Sequence, residues 1–151
     1  MRSTRLVTLL LLVIACKQPA TQKAQIPEVS VTSGGAAGAA VVVMTQAIAI
    51  KETGPKETVA AFGEVYAFSP ETIVVRRDQP TLITFWNLQG DDEHDFMLLS
   101  PRNAVLTQFK LPPLKKTSLV FTFRREGLYP FVCTMHRPEM SGQILVVPPA
   151  R

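Results

Sequence analysis

From about residue 58 onward, short apolar runs alternate with turn-forming residues, and that rhythm predicts β-strands. TVAAFGEVYAF comes first, then TIVVRR after Ser69-Pro70 and TLITFW after Gln79-Pro80. HDFMLL, TSLVFTF, LYPFVC and QILVV follow, parted by SPRN, LPPLKK, RREG and HRPEMSG. Val, Ile, Thr and Phe dominate the runs, and proline falls mostly in the connections. Leu119, Phe121 and Phe123 alternate with Ser118, Thr122 and Arg124, which predicts one buried and one wet face. Seven to eight strands in roughly 90 residues, without a convincing amphipathic helix, predict an all-β two-sheet sandwich or barrel.

Upstream the pattern weakens. KQPATQKAQIPEVS reads as a tether rich in small and polar residues. Val41 to Ile50 is apolar without a decisive period, so a strand, a helix and an apolar linker all fit, with an added strand preferred. At the very start, MRSTR precedes the short apolar run LVTLLLLVIA and then Cys16. A run of that length falls short of the roughly 20 residues a membrane-spanning helix needs, so an export signal is expected. The segment Val13-Ile14-Ala15-Cys16 resembles the bacterial lipobox, whose cysteine becomes the acylated first residue of the mature chain. A buried apolar segment with a chance cysteine is the plainer alternative. The expected organisation is a signal peptide over 1–15, lipidated Cys16 and a flexible Ala/Gly-rich tether over 16–58 with room for one strand, and one domain over 59–151. The expected location is exported, as a periplasmic or outer-surface lipoprotein held on a membrane by its acyl chains.

Charge changes the picture little. The formal net charge is +4, and without Arg2 and Arg5 of the leader 14 basic residues face 12 acidic ones, a balance of +2. So small and scattered an excess gives no footing for nucleic acid. The cysteine count changes it more. With Cys16 acylated, Cys133 is the single remaining thiol, in a compartment where structural cysteines normally pair. It is then an inert core residue, a partner for another chain, or a ligand.

The whole chain has two histidines, His94 and His136. That number excludes a multi-histidine catalytic centre, and a structural zinc site would want four Cys/His ligands. No phosphate-binding glycine loop is present, and a Cys-His nucleophilic pair lacks any sign of an oxyanion hole. One thiolate, two imidazoles and a thioether remain. That mixture is the donor set of a trigonal copper site with a weak axial methionine. Soft sulfur favours Cu(I), imidazole accepts both oxidation states, and an intermediate geometry lets an electron pass with little rearrangement. Cys133 ends one run, His136 and Met140 lie in the turn after it, and His94 opens a distant run.

From Val59 to Pro148 the chain resembles the cupredoxin family, the plastocyanin- and azurin-like blue copper proteins. The residues that carry the likeness are GEVYAFSPETIVVRRDQPTLITFWN, HDFML and YPFVCTMHRPEMSGQILV. FTFRREGLYPFVC is also similar to the copper domain of cytochrome oxidase subunit II, whose two-copper centre needs two cysteines in a loop that here has one. The resemblance implies a Greek-key sandwich with one mononuclear type 1 copper. It implies His94, Cys133 and His136 as equatorial ligands and Met140 as the axial one. Met135, beside His136, is the poorer axial candidate. Family members commonly carry Asn after the first histidine; here Asp95 stands there, and it is expected to accept hydrogen bonds from Thr134.

The implied function is one-electron transfer by Cu(II)/Cu(I) cycling, with no small-molecule substrate and no catalysed reaction. Redox proteins would dock transiently near His136, with Met135 and Pro138 in the contact patch. Two rivals stand beside it: a copper chaperone or buffer delivering Cu(I) to an oxidase, and a metal-free sandwich serving adhesion or envelope assembly. The acidic run Asp91-Asp92-Glu93 reads as a solvated loop, and Phe96 and Met97 as core.

Overall fold

The computed structural model describes residues 27–150, so the expected signal peptide and lipidated Cys16 lie outside it. Ten strands form two five-stranded sheets packed face to face. The first sheet has the order β1 (Val29–Thr32), β8 (Lys116–Phe123), β5 (Thr81–Trp86), β2 (Ala39–Ala49), β3 (Val65–Ser69). The second runs β4 (Thr72–Arg76), β10 (Ser141–Val147), β9 (Gly127–Val132), β6 (His94–Leu99), β7 (Val105–Leu111). Two pairings are parallel, β2 with β5 and β10 with β4.

Inward residues alternate along the strands as a half-buried sheet requires. Ile73 and Val75 of β4, Ile83 and Phe85 of β5, and Ile144 and Val146 of β10 all point into the core. Its centre is aromatic. Phe96 lies 4.5 Å from Phe85 and 5.0 Å from Phe131, centroid to centroid, and Phe131 lies 5.3 Å from Phe68. Such ring pairs add about 0.5–1.5 kcal/mol each to the area they bury.

The sandwich begins earlier than the expected boundary at Val59. Residues 39–49 form a strand inside the first sheet, bonded to β5 on one side and β3 on the other, and Val29–Thr32 pairs with β8 at its edge. The period was hidden because both faces of β2 are apolar: Val41 and Val43 face inward, Val42 and Met44 outward. A strand between two others carries apolar side chains on both sides wherever its outer face is partly covered. Among the described residues the count therefore reaches ten rather than the expected seven to eight, with Val105–Leu111 adding a strand between HDFMLL and TSLVFTF.

TVAAFGEVYAF is likewise not one strand. Residues Lys56–Phe62 form a short helix, α1, entered through Pro55 and stopped at Gly63, whose φ of +78° suits glycine. β3 starts only where β2 offers a partner, with Val65 opposite Ala49. The β2–β3, β5–β6, β7–β8 and β9–β10 connections all emerge at one pole, which carries His94, Cys133 and His136.

Candidate metal centre

The turn after β9 places most of the donors. Cys133 N–H donates to the Met140 carbonyl at 2.8 Å, and Met140 N–H donates to the His136 carbonyl at 2.9 Å. These bonds fold Cys133–Met140 into a closed loop whose two ends meet. Gly142 then lets β10 start close to its neighbours: a Cβ there would lie 2.3 Å from the Glu71 carbonyl oxygen and 2.4 Å from the Phe131 ring. Cys133 and Met140 are fully buried, and His136 is partly exposed.

His94 comes from the far side, at the first position of β6. Its Nδ1 lies 3.1 Å from Nδ1 of His136 and 3.9 Å from Cys133 Sγ, while His136 Nδ1 lies 3.6 Å from the same sulfur. The three donor atoms fall within 4.8 Å of one another. An ion making bonds of about 2.0 Å to nitrogen and 2.3 Å to sulfur fits among atoms so spaced. Among the described residues this is the one such grouping of His, Cys and carboxylate donors. Met140 is packed in the core beside Cys133.

The surroundings set the charge states. Burial, then the neighbouring His136, pull the His94 pKa down to about 4, against the opposing pull of Asp92 and Asp95. His94 is therefore a neutral imidazole at neutral pH, the form that ligates metals. Burial pushes the Cys133 thiol up, although the backbone amides of Asp95 and Met135 aim at it and favour the thiolate. A cation in the site would supply the missing stabilisation of that thiolate.

Asp95 points to the opposite face of β6 and braces the loop. Its carboxylate accepts from Thr134 N–H at 2.5 Å, from the Thr134 hydroxyl at 2.6 Å and from Gln108 Nε2 at 2.7 Å. Burial alone would raise its pKa, but the bonds from Thr134 and Gln108 together hold it below the ordinary carboxylate value. Thr134 follows Cys133 directly, so this bridge fixes the loop to β6.

A family model described as a cupredoxin-like domain matches residues 5–146. The chain belongs to the cupredoxin-like family. Among curated proteins none matches its sequence. Several solved structures resemble it in fold at low identity. Auracyanin B shares 15% identity with a TM-score of 0.54, over 79% of this chain and 96% of that one. Auracyanin A, a "blue" copper protein from the green thermophilic photosynthetic bacterium Chloroflexus aurantiacus, shares 16% at a TM-score of 0.51, over 73% of this chain and all of that one. A multicopper oxidase from Campylobacter jejuni shares 11% at 0.56, over 77% of this chain but 31% of that one.

Within this cupredoxin-like frame, sequence reasoning missed three residues at the pole. Tyr66 of β3 is buried, with its ring centroid 4.9 Å from that of His94 and 4.6 Å from that of His136. Its hydroxyl donates to the Asp92 carboxylate, and burial followed by that acidic partner raises its pKa. Asp92 of the acidic run thus holds the ring that packs against both histidines. Gln89 and Thr45 lie behind His94, with Gln89 Oε1 3.1 Å from His94 Nε2. Thr45 is buried on the otherwise apolar inner face of β2. Met135 is 49% exposed beside His136, and Met97 lies under the Arg137 guanidinium.

Proposed function

We propose that this protein is a single-electron carrier built around one copper ion held by His94, Cys133, His136 and Met140. The observation that carries the reading is the convergence of two imidazole nitrogens and one thiol within 4.8 Å, at a loop whose far end is the buried Met140. Bound there, copper would supply a one-electron Cu(II)/Cu(I) couple. The chain's own residues contribute rigidity. The loop bonds between Cys133, His136 and Met140 and the Asp95–Thr134 bridge hold the donors in place before any metal arrives. Tyr66, itself buried, packs against both rings. Donors that cannot rearrange favour electron exchange over substrate binding. Partly exposed His136, flanked by exposed Met135 and Pro138, is the proposed contact for redox proteins.

The lipobox-like Cys16 supports a further part of the proposal, that the protein is exported and anchored by acyl chains at a membrane. Metabolic labelling with a radioactive fatty acid, lost in Cys16→Ser, tests that part separately.

Copper titration of the purified protein tests the main reading. One equivalent of Cu(II) should give an intense visible thiolate-to-copper band that bleaches on reduction and returns on oxidation. Exposed Met135 favours a second reading, Cu(I) delivery to an oxidase. A colourless complex that holds Cu(I) alone would select it, and no copper retention would leave a metal-free sandwich.

A further inference from the structure

We propose that Gln89, held by Thr45, is the positioning residue that decides which nitrogen of His94 faces the donor cluster. For His94 to offer Nδ1 to a metal, its ring proton must reside on Nε2. That nitrogen lies 3.1 Å from Gln89 Oε1, and an amide oxygen can only accept. The contact therefore selects the Nε2–H tautomer and leaves the Nδ1 lone pair directed at Cys133 and His136.

Gln89 does not hang free. Thr45 donates its hydroxyl to the same Oε1 and accepts the Leu88 N–H at 3.1 Å, so its proton and a lone pair are both engaged. The Gln89 backbone is tied at both ends. Its N–H donates to Asn87 Oδ1 at 3.0 Å, and its carbonyl accepts from Leu114 N–H at 3.1 Å. Asn87 in turn donates to the carbonyls of Asp92 and Leu111, at 2.8 and 2.9 Å. A continuous line of hydrogen bonds thus runs from β2 through the β5–β6 loop to the first donor of β6. The strand over residues 39–49 is thereby part of the site and not merely of the sheet. Hydrogen-bonded partners of ligating histidines typically govern metal affinity by about 10–100-fold.

The assignment of tautomer stands on metal-free geometry; its consequence for copper rests on the proposed function. Two arms keep them apart. In metal-free protein labelled with 15N-histidine, NMR should show His94 as the Nε2–H tautomer. Gln89→Leu should mix the two tautomers, and Gln89→Glu, which keeps an acceptor, should retain the Nε2–H form. With copper, Gln89→Leu should weaken Cu(II) binding about tenfold or more, with Gln89→Glu recovering the loss. Thr45→Val should move both readouts the same way by less, and it serves if Gln89→Leu does not fold. An Nδ1–H tautomer in the parent protein, or unchanged tautomer and affinity in Gln89→Leu and Thr45→Val, would overturn the assignment. Should the parent bind no copper while the NMR arm behaves as stated, the electron-carrier reading fails and the role of Gln89 stands.

Discussion

The two sides of the donor cluster are built by different means. Cys133, His136 and Met140 come from one turn, closed on itself by two backbone hydrogen bonds between its own members. His94 is held by residues from across the chain: Thr45 on β2, Tyr66 on β3, and Asn87, Gln89 and Asp92 on the β5–β6 loop. The first side depends on spacing along the chain, the second on long-range packing. A local turn tolerates distant change but not change within it. A distributed support should fail by degrees, through many positions that never touch the metal.

Substitutions on each side can break or sharpen that contrast. The largest effect is expected from Cys133→Ser, which removes the one thiolate. The copper-loaded protein should lose its visible band completely while the far-UV circular dichroism of the sandwich persists. Next comes Asn87→Ala on the distributed side. Its buried amide serves two carbonyls and one N–H, and each buried group left unpaired costs about 1–3 kcal/mol. A large fall in the urea midpoint is expected; an unchanged midpoint would mean that the loop needs no such anchor.

Gly142→Ala tests the local side through its backbone. A methyl so close to the Glu71 carbonyl and the Phe131 ring forces a shift of β10, at a cost of about 1–3 kcal/mol typical of overpacking. Thermal unfolding should register it, with the band displaced as the loop end moves. The smallest effect belongs to Asp95→Asn, the joint between the two sides. A neutral amide in place of the carboxylate disfavours Cu(II), so the reduction potential should rise. A tenfold change in the Cu(II)/Cu(I) affinity ratio corresponds to about 59 mV for a one-electron couple. A potential that stays put or falls would remove Asp95 from the tuning of the site.

The same contrast explains what could be read from the chain in advance. Cys133, His136 and Met140 were legible because their chemistry and their crowding appear together in one short stretch, and Asp95 because it adjoins His94. The alternating runs announced most of the sandwich. Thr45, Gln89 and Tyr66 were not legible as site residues, since nothing near them in sequence carries related chemistry. Their role arises only when β2, β3 and β6 are brought to one pole. The strand over 39–49 stayed ambiguous for a related reason: its outward Val42 and Met44 erase the polar half of the period. Pro55, Gly63 and the helix-forming Lys56, Glu57, Ala60 and Ala61 do mark α1, but Thr58, Val59 and Phe62 merge it with the strand-prone GEVYAF that follows.

Val29 pairs with Phe123, whereas the opposite end of β8, at Lys116, sits beside Trp86 near the donor pole. The described chain thus enters the domain at the end remote from the cluster, about 25 Å away for a strand of that length. The partly exposed His136 thus lies at the pole opposite the first described strand.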